Sequence, residues 1–412
     1  MMNTYTQRSL RYATVRLAGT IISIIAMIHS VSTTAQAQTP EPKLPGVHDA
    51  MQHFIDAGEM SGAVTIVTTK DKIIHLDVAG LANISQKEAM QPNSLFWIAS
   101  MTKPVTAVSL LMLQDDGKLK VTDQVSKYIP EFSNLKTPSG KYANLTITQI
   151  LSHTSGLGEA QDADVLKAGN LADLIPLFLS APMQYEPGVQ WKYTQSGINV
   201  ASRIVEVVSG MPFDQFVQKR ILAPLGMKHT TFYPDEKALA ERAVGYQKNK
   251  TTGALERVAQ PAIYAGKTGH PPFGNGGLFS TGPDYTRFCQ MLLGRGLYKG
   301  KRYLSDNAIK LLTTVQTGDL PTGFLQGPEQ GNHGADYGWG LGVAIQRNTH
   351  DGVGAMLSSG TFGHGGAWGT QAWIDLTRGV AYILMVQRPN INGDASEVRR
   401  VFQQTASDAI GK

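Results

Sequence analysis

The chain has 412 residues, 42% hydrophobic and 17% charged, a balance that excludes disorder, collagen and coiled coil and supplies one large or two interleaved cores. Its formal charge of +5 comes without a Lys/Arg run or basic–aromatic stripe, which excludes a nucleic-acid partner. Cys289 is the single cysteine, so an intrachain disulfide and multi-cysteine zinc sites are excluded; the ten histidines lack metal-ligand spacing, and no metal or cofactor is expected.

The first forty residues read as an export signal. Arg8, Arg11 and Arg16 precede an apolar run over 17–31, and no acidic residue occurs before Glu41. Small residues close the run at Ala35-Gln36-Ala37, an A-x-A cleavage pattern that predicts a signal peptide over 1–37 and a mature protein in the periplasm or outside the cell. The run is shorter than the roughly 20 residues of a spanning helix, although an uncleaved anchor is the alternative. Cleavage would remove three of the 37 basic residues and none of the 32 acidic ones, leaving a net charge of +2.

After a short linker, periodicity predicts a helix over 47–57 and an antiparallel hairpin over 63–69 and 73–79, turned at Lys70-Asp71-Lys72. An apolar helix over 102–114 stops at Gly117, and further helices are predicted over 146–151, 171–179, 198–208 and 213–221. Cys289 lies in an apolar helical stretch and reads as a buried, inert thiol. Strand character returns over 339–345, 367–374 and 380–387, and a helix over 396–410 closes the chain. Strands near both ends with helices between predict an α+β fold. One antiparallel sheet, built from N- and C-terminal segments and flanked by helices, would carry an inserted helical lobe over roughly 115–270 within a domain spanning 38–412. A groove between the two is the expected ligand site.

The chemistry-bearing candidate is Ser100-Met101-Thr102-Lys103 at a helix start. An i, i+3 pair shares a helical face, so the lysine amine can reach the serine hydroxyl and serve as the base it needs near neutral pH. The helix N-terminus favours a developing oxyanion. A second S-x-x-K, Ser133 to Lys136, lies in a predicted loop after Pro130. No G-x-S-x-G occurs, which argues against an α/β-hydrolase, and there is no G-x-x-x-x-G-K-[ST] phosphate loop.

The run Phe96 to Ala107 closely resembles the active-site helix of the serine β-lactamase-like family, which includes class C β-lactamases, D-alanyl-D-alanine carboxypeptidases and carboxylesterases. Leu145 to Leu157 and Gly276 to Gly282 resemble two further family landmarks in the same order, so the likeness covers almost the whole mature chain. It implies an acyl-enzyme on Ser100, with Lys103 and Tyr193 handling protons. Tyr193-Thr194-Gln195 stands for the family's Tyr-x-Asn, with Gln195 replacing asparagine; the literal match Tyr142-Ala143-Asn144 has the wrong neighbourhood. For the third element, Lys267-Thr268-Gly269 matches literally but runs into His270-Pro271-Pro272, which no strand accommodates. His364-Gly365-Gly366-Ala367 fits instead, on an edge strand, and implies a substrate- and oxyanion-binding set of His364, Gly366, Ala367 and Gln195, with the Ser100 and Ala367 N–H groups as the oxyanion hole.

Which of Lys103 and Tyr193 is the base stays open, since both side chains ordinarily titrate near roughly 10. His153 with Ser155 reads as a segment-end cap rather than a dyad. His364, ordinarily titrating near roughly 6.5, offers no permanent cation for a substrate carboxylate. The expected substrate is therefore a small or neutral ester, with D-amino peptides, other amides and β-lactams as alternatives. A non-catalytic penicillin-binding sensor, acylated without turnover, is the reading from another class.

Overall fold

The computed structural model describes residues 43–259, 269–322, 337–347, 354–389, 391 and 396–411. The leader over 1–37 and the Lys267-Thr268 pair lie outside the described residues.

The N-terminal part gives helix α1 (Val47–Asp56) and strands β1 (Gly62–Thr68), β2 (Ile73–Asn83) and β3 (Glu88–Ala89). The middle carries helices α2 (Thr102–Asp115), α3 (Ile147–Leu151), α4 (Leu171–Ser180), α5 (Ser196–Ser209), α6 (Phe213–Val217), α7 (Gly282–Leu293) and α8 (Asp306–Thr313). Strands β4 (Tyr337–Trp339), β5 (Ala344–Gln346), β6 (Phe362–Gly365), β7 (Gln371–Asp375) and β8 (Val380–Met385) follow, then helix α9 (Glu397–Ile410).

These eight strands form one antiparallel sheet in the order β4-β5-β6-β7-β8-β1-β2-β3. The two ends of the domain meet at its centre, where Val64 faces Met385 and Thr68 faces Ala381. Every residue of β1 is buried because both of its faces are covered. Val64 and Ile66 join the core of α2, α5 and α7, whereas Ala63 and Val67 join Val47, Met51, Phe402 and Ala406 of α1 and α9.

Helix α2 is buried from Thr102 to Leu113, the signature of a helix packed on all sides. Local sequence sets the other helix ends. Thr146 and Gln149 form a reciprocal capping box before α3, and Gly210, with φ 71°, ends α5. After α6 the chain widens into a π-turn over Gln218–Leu222, so the helix expected over 213–221 is not uniform. Pro224 follows, and its ring excludes the carbonyl four residues back.

Three strand expectations need correction. The run over 339–345 is two strands joined at Gly340–Val343, because Gly342 takes φ 68° and a side chain there would lie 3.1 Å from the Lys103 carbonyl oxygen. The strand expected over 367–374 starts at Gln371; residues 366–370 form a turn closed by Gly366 N–H donating to the Thr370 carbonyl at 2.7 Å. His364 sits on a strand of its own, β6, and that strand is internal to the sheet rather than at its edge. Strand β5 pairs only with Phe362 and Gly363, however, so the His364 end of β6 has a sheet partner on the β7 side alone.

Candidate active site

Ser100 lies in a 3-10 turn, Ala99–Met101, that runs straight into α2. Ala99 holds φ 45°, a left-handed conformation costly for a residue with a Cβ, so the turn presenting Ser100 is strained. The surroundings over-determine it. Thr102 Oγ1 donates to the Ala99 carbonyl at 2.7 Å, Tyr285 Oη donates to that of Met101 at 2.8 Å, and Ile98 N–H donates to that of Leu278 at 3.1 Å.

One turn on, Lys103 is fully buried and its Nζ donates to three acceptors. These are Ser100 Oγ at 3.1 Å, Gln195 Oε1 at 2.9 Å and the Asn275 carbonyl at 2.7 Å. Burial pushes its amine well below the ordinary lysine range, with Glu159 opposing only in part. Once it has shed a proton, the amine keeps two N–H groups for Gln195 and Asn275 and turns its lone pair to the half-buried Ser100 hydroxyl, whose proton it can then accept.

Gln195 marks the start of α5, and its first amides are held by a carboxylate: Gln195 N–H donates to Glu159 Oε1 and Ser196 N–H to Glu159 Oε2 at 3.1 Å. The amide oxygen of Gln195 faces Lys103 Nζ, and Asn275 Nδ2 donates to the same oxygen at 2.9 Å. The longer arm of glutamine is thus spent on Lys103.

Tyr193, half-buried, has its ring centroid 4.6 Å from Lys103 Nζ. His153 stands behind it and brackets the segment: its carbonyl accepts Lys192 N–H at 3.0 Å and its Nδ1 accepts Thr194 N–H at 3.3 Å. The His153 ring lies 4.6 Å from that of Tyr193 and 5.0 Å from that of Trp339, and its backbone takes φ 61°. Burial first, then Lys103 and His364, hold this imidazole well below its ordinary range, so it is neutral with the proton on Nε2.

His364 is buried, and its Nδ1–H donates to the Gly365 carbonyl at 2.6 Å. Burial, reinforced by the Lys103 charge, lowers it to about 3. Its ring centroid is 6.0 Å from that of Tyr193. Gly366 has no room for a side chain: a Cβ would lie 2.1 Å from Thr370 Oγ1 and 2.5 Å from the Ile98 carbonyl oxygen. Thr370 Oγ1 itself donates to Ile98 at 3.2 Å, tying the end of β6 to the segment that presents Ser100. Ala367 is exposed between buried neighbours.

The structure therefore brings Ser100, Lys103, Tyr193 and Gln195 into contact and sets His364 beside Tyr193, with Gly366 against the strand leading to Ser100. The other motif matches lie elsewhere: Ser133 and Lys136 are exposed, Lys136 rests on the ring of Tyr142, and Tyr142 is 61% exposed. Sequence reading passed over Asn275, inside the glycine run 274–277, and Glu159. His153, expected at a segment end, is also buried against Tyr193. Among the described residues no cluster could hold a metal ion.

The family model "Beta-lactamase" matches residues 47–406. Protein Rv1367c of Mycobacterium tuberculosis is 30% identical over 86% of this chain and 92% of its own length. A putative D-alanyl-D-alanine carboxypeptidase of Salmonella typhimurium is 27% identical over 90% and 89%. Among solved structures, EstCE1, a hydrolase with promiscuous acyltransferase activity, superposes with TM-score 0.73 at 22% identity over 89% of this chain and 97% of its own, a likeness of fold. The chain belongs to the Beta-lactamase family.

Proposed function

We propose that this Beta-lactamase family member is an exported serine hydrolase that acylates Ser100. Its substrates would be carboxylic esters that are small and neutral around the scissile bond. The observation that supports this most is the buried Lys103 amine, 3.1 Å from Ser100 Oγ and held by two other acceptors. Ser100 Oγ forms the new bond to the acyl carbon while its proton passes to Lys103 or Tyr193. The same pair returns a proton to the departing alkoxide, and water then releases the acid. The Ser100 and Ala367 N–H groups are assigned to the oxyanion. Export rests on the leader over 1–37.

The ester preference follows from His364. Neutral across the physiological range, it supplies no cation for a carboxylate next to the reacting carbonyl. The test runs p-nitrophenyl butyrate and a chromogenic cephalosporin in parallel, with Ser100→Ala as control. Serine-dependent ester turnover with a silent cephalosporin is expected. Rapid cephalosporin turnover would replace the reading with a β-lactamase. A fluorescent penicillin that stays attached to an enzyme inert on both would replace it with a sensor or a D-Ala-D-Ala carboxypeptidase, the activity named for the Salmonella relative.

A further inference from the structure

Beyond the Ser100 cluster lies a groove of about 430 Å³ whose walls include Arg242, Gly245, Arg257, Val258, Trp368 and Gln387. It adjoins the site through Trp368, which directly follows Ala367 and whose ring meets that of Trp97 at 5.4 Å, edge to face. Trp97 stands three residues ahead of Ser100. Gly245 leaves the tryptophan its space: a Cβ there would lie 2.2 Å from Trp368 Cζ3. The groove wall is thus built around this ring.

Two guanidinium groups line the same groove, and among the described residues neither forms an ion pair. Arg242 is half-buried and donates from Nη1 to the Leu239 carbonyl; Arg257 is exposed. The neighbouring carboxylate Glu256 is engaged by Asn249 Nδ2 at 2.7 Å. Burial, and then the positive charge of Arg257, push the Arg242 guanidinium below its usual range. Two like charges beside an apolar ring without a counter-ion is an unfavourable arrangement that an anion in the groove would reverse.

We propose that this groove is a subsite for a carboxylate borne by the substrate at a distance from the scissile bond, held by Arg242 and Arg257 with the intervening chain on Trp368. The inference rests on the acyl-enzyme reading for its place in catalysis and extends it. The reacting end of the substrate is neutral, and its charge lies on a remote arm. A carboxylate accepts paired N–H donors from a guanidinium, which fits it better than a neutral amide of the same length.

The test measures octanoate and octanamide binding to the Ser100→Ala protein by calorimetry, at low and high salt, alongside Arg257→Gln and the Arg242→Gln/Arg257→Gln pair. Octanoate is expected to bind at least about tenfold more tightly than octanamide, to weaken with salt, and to lose that advantage in the double variant. Arg257→Lys should restore part of it, and thermal melts report on folding. In the unsubstituted enzyme, octanoate should compete with p-nitrophenyl butyrate. Equal binding of the two probes, or an advantage untouched by the arginine changes, overturns the subsite. Arginine-dependent binding without competition overturns its placement beside Ser100. Loss of Ser100-dependent turnover with arginine-dependent binding intact would instead overturn the hydrolase reading and leave the subsite standing.

Discussion

His153 offers the sharpest test of how Tyr193 is held. Its ring nitrogen is the acceptor for a buried Thr194 N–H, and its ring fills space between Tyr193, Trp191 and Trp339. Substituting alanine strands that N–H, which costs about 1–3 kcal/mol. It also empties a ring-sized volume, adding a few more kcal/mol of the sort large-to-small core changes cost, for a total of about 4–6 kcal/mol. Phenylalanine keeps the volume but leaves the Thr194 N–H without its acceptor, which costs about 1–3 kcal/mol, and the left-handed φ of 61° suits it less well than histidine. Asparagine places Oδ1 where Nδ1 sits and tolerates the left-handed φ of 61° at this position. Urea unfolding should therefore rank His153→Ala as the least stable. Ester kinetics should rank differently: His153→Phe loses at least about tenfold in kcat with KM little changed, whereas His153→Asn keeps most of kcat despite its smaller side chain. If the phenylalanine and asparagine variants turned over equally fast, the bond to Thr194 would have no part in presenting Tyr193 and the reasoning would fail.

Three further outcomes follow from the same geometry. Lys103→Arg tests Lys103 as the base: ester turnover should be lost at every pH, because a guanidinium cannot shed its proton, and turnover that survived would move that role to Tyr193; the native kcat/KM should rise along a limb below the free-amine range of about 10.4, and a native limb at or above that value would refute a buried neutral amine. His364 is lowered to about 3 in the folded protein from 6.5, so the unfolded chain binds the extra proton between those values. Its contribution to stability is complete above 6.5 and is lost as pH falls toward about 3, and urea titrations at about pH 7 and about pH 4 should show a smaller drop for His364→Gln than for the native chain. Gly366→Ala should fold but lose at least about tenfold in turnover: Thr370 can rotate away from the new Cβ, but the Ile98 backbone carbonyl 2.5 Å away cannot, and an unchanged rate would show that this strand end need not approach Ser100.

What could be read from sequence was whatever local chemistry dictates. The β1–β2 hairpin announces itself by two β-rich runs around a polar turn, and α2 by an unbroken apolar stretch with Gly117 after it. Strand β6 was hidden because Phe362-Gly363-His364-Gly365 has neither alternation nor β-branched residues, and its pairing with β7 is what makes it a strand. The partners of Lys103 were equally out of reach. Asn275 lies 172 positions from it and contributes a backbone carbonyl, which carries no sequence signature. Tyr193 and His364 were found by order along a family pattern rather than by physics. Glutamine in place of asparagine does not announce its partner either; the fold sets its Oε1 on Lys103 Nζ, 92 positions away.

The pairing of β1 with β8 has a consequence for how the molecule comes to exist. Residues that meet at the centre of the sheet, such as Val64 and Met385, are more than three hundred positions apart in the chain. Contacts of such separation form slowly, because a very long loop must close before any of them contributes. As the polypeptide is made, β1 can pair only with β2, and its other edge stays bare until β8 arrives. That bare edge belongs to a strand whose every residue is buried in the finished fold, and it is the kind of template on which nascent chains associate. A chain cut before Val380 would carry it permanently, with β7 exposed as a second edge, and would be expected to aggregate rather than persist as a smaller, weaker enzyme.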